Sequence, residues 1–317
     1  MDCYKHFFED SSPKMASRRR PTSPLASSSV TVNSISKTFG FYDKLSYICK
    51  KFGKMMKVIE NKIVGKKSQE SCEDGWVVTA NFIAVIDGST SKTPHHLSPD
   101  MRNGRYAMVL ISDFIQQHLE ADASVDDFCE GVSSYIYNKV YESLGVEEQM
   151  RLHPEERLTA SAILYSKARN EVWMVGDCQA IVGGKLYENN KPYESEIANR
   201  RVELIRKGFS PQKARKAIEP LLVQKMLEGQ NKSYAVIDGF PIYRDGVKVI
   251  SVGQAHQTIV LASDGYPFLK TTLTESEQAL AQLIANDPQC TQEFIATKGL
   301  VEGNKSFDDR TYVRFEI

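Results

Sequence analysis

Ile83-Ala84-Val85-Ile86-Asp87-Gly88-Ser89-Thr90 decides the fold of this chain. A short unbroken apolar run suits a strand buried on both faces. It ends in an acid and a glycine, so Asp87 is placed at the mouth of the strand with Gly88 free to turn sharply or to let its backbone approach another group. The same grammar returns at Thr258-Ile259-Val260-Leu261-Ala262-Ser263-Asp264-Gly265. Val172-Trp173-Met174-Val175-Gly176-Asp177 and Ser306-Phe307-Asp308-Asp309-Arg310-Thr311 put two more acids beside strand-like runs. One Asp-Gly after a strand is usually only a turn. Several such acids, with Glu73-Asp74 ahead of them, suggest an oxygen-rich cage for a hard divalent cation.

Working outward, Val58-Ile59 and Lys62-Ile63-Val64 predict a first strand, and Gly75–Ala80 and Phe82–Ile86 the next two. Pro99–Glu120 has apolar residues at helical spacing, and Val125, Phe128, Val132, Ile136 and Val140 predict a second helix with Ser124 as its N-cap. Ala160–Tyr165, Glu171–Val175 and Ala180–Lys185 return to strands, the first two joined by a hairpin turn at Lys167-Ala168-Arg169-Asn170. Residues 194–228 are polar and helical, broken at Gly208-Phe209-Ser210-Pro211; this charged stretch suggests a helical insertion or flap spanning about 190–232. Lys248–Val252, Gln257–Ala262 and Arg310–Ile317 predict strands, and Glu275–Ala285 and Gln289–Thr297 predict helices separated by Asp287-Pro288. Strand runs interrupted by paired helices indicate an α+β layered domain with mostly antiparallel sheets.

Residues 1–56 differ in composition. Ser11 to Tyr42 contains no acid, and includes Arg18-Arg19-Arg20 and Ser27-Ser28-Ser29. This predicts a disordered or processed leader, an organelle transit segment, or sequence upstream of a start at Met55 or Met56. The folded domain is expected over 57–317. Lys+Arg and Asp+Glu are both 40, giving no bulk electrostatic case for nucleic acid or an anionic membrane. No apolar stretch approaches the ~20 residues of a membrane span. Six scattered cysteines without a Cys-x-x-Cys pair predict reduced thiols in the cytoplasm rather than a zinc ribbon or disulfide framework.

Glu73-Asp74, Asp87-Gly88, Thr159-Ala160-Ser161-Ala162, Gly176-Asp177, Ser263-Asp264-Gly265 and Asp308-Asp309, in that order, resemble the metal-dependent type 2C (PPM) Ser/Thr protein phosphatases. The resemblance runs over about residues 57–317. It implies a four-layer α-β-β-α sandwich, two central antiparallel sheets flanked by helix pairs. It implies hydrolysis of phosphoserine and phosphothreonine in a phosphorylated protein, with two Mg2+ or Mn2+ ions and a weaker third. Asp87 would bridge the two ions, the Gly88 carbonyl would ligate one, Asp264 and Asp308 would hold the other, Glu73 and Asp74 would act through bound water, and Asp177 would serve the third. Asp87, Asp264 and Asp308 are the expected catalytic set.

Three positions depart from the family pattern. Ser89 stands where a histidine leaving-group acid is common, so His95 or His96 becomes a candidate donor. Gln69 stands at the phosphate-binding arginine, leaving Lys66, Lys67, Arg102 and Arg105 as candidate substrate-binding residues. Asp309 replaces an asparagine. The competing expectations are a phosphatase of a small phosphorylated metabolite, a non-catalytic phosphoprotein-binding member, and a structural acid cluster capped by lysines.

Overall fold

The computed structural model describes residues 56–253 and 257–317; apart from Met56, the expected leader lies outside them. Among the described residues ten strands are present: β1 (Lys57–Val64), β2 (Asp74–Val78), β3 (Phe82–Gly88), β4 (Ala160–Ser166), β5 (Glu171–Val175), β6 (Gln179–Val182), β7 (Lys185–Tyr187), β8 (Val247–Ser251), β9 (Thr258–Ala262) and β10 (Arg310–Glu316). They form two five-stranded sheets, in the orders β1-β10-β9-β6-β7 and β2-β3-β4-β5-β8. Every pairing between them is antiparallel.

Side-chain alternation sorts the strands into layers. Ile83 and Val85 of β3 meet Ile163, Val172 and Met174, and across the gap they pack with Ala180, Ile259, Leu261, Val313 and Phe315 of the other sheet. The opposite face of β3, Phe82, Ala84 and Ile86, packs under two helices, α1 (Asn103–Gln117) and α2 (Val125–Ile136). Outside the other sheet, Ile181, Val260 and Tyr312 pack with Tyr266, Leu269 and Leu273, the last opening a helix. The result is the expected α-β-β-α sandwich. β3 is buried on both faces, which is why it reads as an unbroken apolar run.

The elements differ from expectation where local polar contacts override periodicity. Helix α1 starts at Asn103, not Pro99, because the buried Asn103 side chain fastens the preceding loop: it accepts the Leu97 N–H (3.0 Å) and donates to the His95 carbonyl (3.1 Å). Ser124 caps α2 as predicted, in a reciprocal capping box with Asp127. The α-helical bonding then gives way to a wider π-helical stretch over Tyr137–Glu142. A short helix α3 (Glu147–Leu152) follows, which the sequence reading did not anticipate. The polar stretch does form two helices, α4 (Glu194–Arg206) and α5 (Pro211–Gly229), with Ser210 capping the second.

The predicted helix at Gln289–Thr297 is absent. After helix α6 (Leu273–Asn286) the chain enters an irregular loop. The Asp287 carboxylate accepts the N–H groups of Thr291 (2.9 Å), Gln292 (2.8 Å) and Glu293 (3.0 Å), and Cys290 takes φ +49°. A buried carboxylate that gathers consecutive N–H groups offers the backbone an alternative to helical bonding. Asp287→Ala removes this acceptor and should cost about 3 kcal/mol in urea unfolding, with faster amide exchange confined to 291–294. Unchanged exchange there would show that the loop is held by other contacts.

Candidate active site

The acids meet at one end of the two sheets, and strand register explains how. Asp74 opens β2 and lies directly across from Asp87 near the end of β3, while Ser161 of β4 faces Asp87 from the other side. Asp177 follows β5 after Gly176. Asp264 follows β9, and Asp308 and Asp309 precede β10, its neighbour in the sheet.

Two glycines make the approach possible. At Gly88 a Cβ would lie 2.2 Å from the Gly104 carbonyl oxygen and 2.7 Å from that of Glu73, so only glycine lets the first turn of α1 land on the end of β3. At Gly176, φ is +91° and a Cβ would meet Ser161 Oγ at 2.1 Å. That space is used by the Ser161 hydroxyl, which donates to Asp177 Oδ1 at 2.5 Å.

The electrostatics are those of crowded anions. Burial, then the charges of Asp74, Asp264 and Asp177, hold the Asp87 carboxyl well above the usual range. Burial, reinforced by Asp309 and Asp264, pushes Asp74 up to about 7. Both Asp74 oxygens and Glu73 Oε1 are buried without a donor in bonding geometry, though the Ser263 and Thr311 hydroxyls lie near enough to Asp74 to offset part of its shift. Asp177 behaves differently. Burial alone would raise it, but the Lys191 ammonium and the Ser161 hydroxyl outweigh that and lower it.

Lysines enter this acidic floor from three directions. Lys66 Nζ reaches Asp308 Oδ1 (2.8 Å) and Asp309 Oδ2 (3.4 Å). Lys298 pairs with Asp308 Oδ2, and Lys191 with Asp177 Oδ2. Lys191 and Lys298 were not singled out in the sequence. Neither has a motif around it, and only the folded path brings it to the acids.

The other candidates are placed as follows. Lys67 and Arg102 are exposed, the latter at the N-cap of α1. Arg105 Nη1 donates to the Cys72 carbonyl (2.6 Å), beside Glu73. His95 and His96 are exposed; His95 Nδ1 lies 3.4 Å from Glu156, and neither histidine bonds to the clustered acids. Gln69 Oε1 accepts the Gly65 N–H (3.4 Å), closing the turn after β1. Asp309 accepts the N–H groups of Lys66 (2.7 Å) and Glu73 (3.1 Å), so its carboxylate ties the end of β1 to the start of β2. Thr90 Oγ1 donates to Glu73 Oε2 (2.6 Å). Cys72, Cys129, Cys178 and Cys290 are buried free thiols.

The donors are all oxygen, in keeping with a hard divalent cation, and the unpartnered buried oxygens of Glu73 and Asp74 are atoms that such an ion, or water on it, would satisfy. Among the described residues no group of three acid, histidine or cysteine side chains stands in ligating geometry, and lysines hold Asp308 and Asp177. The same residues show no helix long and apolar enough to cross a membrane.

No family model matches this sequence, and no curated protein does. Among solved structures, the chain is similar to the Mycobacterium tuberculosis serine/threonine phosphatase PstP/Ppp, at 15% identity, covering 83% of this chain and 99% of that chain with TM-score 0.42. It is similar to the PPM Ser-Thr phosphatase MsPP from Mycobacterium smegmatis at 17% identity, covering 82% and 98%, TM-score 0.40. It is similar also to PppA from Pseudomonas aeruginosa at 13% identity, covering 83% and 97%, TM-score 0.41.

A raised carboxyl pKa has a definite consequence for stability. Asp74 titrates near 7 when folded against 3.8 ordinarily, so between those values the unfolded chain binds fewer protons and stability falls as pH rises. In chelator, Asp74→Asn should therefore gain melting temperature relative to the parent protein as pH climbs from about 4 to about 7. A difference independent of pH would contradict the assignment.

Proposed function

We propose that this chain is a type 2C-like phosphatase that hydrolyses phosphomonoesters, foremost phosphoserine and phosphothreonine in proteins, with two Mg2+ or Mn2+ ions. The observation that carries the reading is the gathering of Asp74, Asp87, Asp177 and Asp264 into one crowded acidic group, in which both Asp74 oxygens and the neighbouring Glu73 Oε1 are buried and unpartnered. Structural carboxylates are normally paired or hydrogen-bonded; crowded ones with orphaned oxygens are suited to a cation.

Asp87, the Gly88 carbonyl, Asp264 and Asp308 would hold the ions directly, Glu73 and Asp74 through water, and Asp177 a weaker third ion. Divalent ions in such a site supply Lewis acidity and an activated water for attack on phosphorus. The chain's own contribution is placement. The register between β2 and β3 sets Asp74 against Asp87, and the Gly88–Gly104 contact fixes the strand end under α1. Lys66, held by its own backbone N–H to Asp309, carries a fixed positive charge beside Asp308 for a phosphoryl oxygen.

Asp87→Asn should reduce turnover of a phosphothreonine peptide at least ~10³-fold in saturating Mn2+ while leaving the circular dichroism unchanged. Near-parental turnover would refute the assigned centre. The lysine contacts on Asp308 and Asp177 favour, as the alternative, a non-catalytic phosphoprotein-binding protein; no turnover by the parent protein in saturating Mn2+, with retained phosphopeptide binding, would support it.

Ser89 cannot protonate an alkoxide at neutral pH, so the donor is sought elsewhere. His95, steadied by Glu156, and His96 are the proposed candidates. General acid catalysis is worth about 10²–10⁴-fold and matters for a serine alkoxide far more than for p-nitrophenolate. His95→Ala or His96→Ala should then slow phosphopeptide hydrolysis much more than p-nitrophenyl phosphate hydrolysis. Equal effects on both substrates would assign the proton to water.

A further inference from the structure

Two ammonium groups occupy the carboxylates that a divalent ion would need; one sits in a loop that α4 and α5 bond and the other just ahead of α4. We propose that Lys298 and Lys191 are internal cations of the acidic site, which must leave Asp308 and Asp177 before the site loads with metal. Helices α4 and α5, through the segments they hold, thereby govern that loading. This inference rests on the metal-site reading above.

Both oxygens of Asp308 are taken, Oδ1 by Lys66 at 2.8 Å and Oδ2 by Lys298. Both oxygens of Asp177 are taken as well, Oδ1 by the Ser161 hydroxyl at 2.5 Å and Oδ2 by Lys191. An ammonium seated on a carboxylate opposes a divalent ion twice. It repels the ion's charge and fills the space on the oxygen that the ion would contact. It also does for the protein without metal what the ion would do otherwise, balancing crowded anions that would repel one another.

The two lysines are not loosely placed. The backbone on both sides of Lys298 is fastened. Arg215 of α5 donates to the Thr297 carbonyl (2.9 Å), and the Leu300 N–H donates to the Pro288 carbonyl (2.7 Å). Arg201 of α4, 1% exposed, donates to the carbonyls of Gln289 (2.9 Å) and Ala296 (3.2 Å). Lys191 lies three residues ahead of α4, and its carbonyl accepts the Glu194 N–H (3.2 Å). Thus α4 and α5 fix the loop carrying one lysine and adjoin the turn carrying the other. A shift of this pair would move the backbone that carries each of the two cations. Lys66 is different: its own N–H is bound to Asp309 at the end of β1, so it stays with the sheet.

The test is Mn2+ binding to the full-length protein by calorimetry, without substrate, together with melting in chelator. Lys298→Gln and Lys191→Gln remove the competing charge; each should tighten Mn2+ about ten-fold, and the double variant more. Each should also melt lower than the parent in chelator and regain more on adding Mn2+. Lys298→Arg, which keeps the charge, should bind Mn2+ like the parent, and Arg215→Ala, which frees the loop, should tighten binding by a smaller factor. Equal or weaker Mn2+ affinity in both Gln variants, with binding intact in the parent, would overturn the gating inference alone. Absence of Mn2+ binding in the parent and in every variant would overturn the metal-site reading, and this inference with it.

Discussion

The arrangement of this protein turns on concentrated negative charge at the ends of buried strands. Asp74 and Asp87 are forced into opposition by the β2–β3 register, and Asp264 and Asp177 add their fields. A low-dielectric floor cannot hold several ionised carboxylates unaided; protons, ammonium groups or metal ions must share it. Burial and neighbouring carboxylates raise Asp87 and Asp74, which favours the first, and lysines on Asp308 and Asp177 supply the second. The proposed function supplies the third. On that reading stability and activity would oppose each other here: each group that relieves the repulsion without metal would also compete with metal.

The layered fold was legible because its signals are local and repeated. β3, β4 and β9 are apolar runs flanked by turn residues, and α1 and α2 carry clear helical spacing, α2 opened by its Ser124 cap. The one helix that failed did so for a reason visible only in three dimensions. Nothing in the Gln289–Thr297 sequence forbids a helix; in the fold Cys290 takes φ +49° and Asp287 gathers the N–H groups beyond it. Asp287-Pro288 could be seen as a break; that its carboxylate would organise the next six residues could not.

At the site, the acids at strand ends were legible for the same reason, since an Asp after an apolar run points to a strand mouth. The roles of the neighbouring polar residues were not. Asp309, standing where the family pattern has an asparagine, adds its charge beside Asp74 and also spends its oxygens on two backbone N–H groups and the Lys66 ammonium. Arg105 reads as a substrate-binding candidate and Gln69 as a gap in the family pattern, yet each holds a backbone group, Gln69 at Gly65 and Arg105 at Cys72. Side chains that fasten a turn leave no periodic trace, because their partners are set by the path of the chain and not by spacing.

The helical pair α4–α5 is where this matters most. Its composition suggests a solvated flap, and most of its surface is polar. Yet Ile197, Ala198, Val202, Ala214 and Ile218 give it an apolar stripe, and Arg201, among the largest fully buried side chains, bonds carbonyls of the 287–300 loop. A buried guanidinium whose hydrogen bonds go only to carbonyls makes no ion-pair contact, and burial lowers its pKa although the Asp287 charge nearby acts the other way. Such a group is costly unless the loop it holds has a definite shape. The loop does have one, set by Asp287 on one side and Arg215 on the other, and its end delivers Lys298 to Asp308. A segment that reads as mere surface charge is thus connected, through backbone carbonyls alone, to the most constrained charges in the molecule.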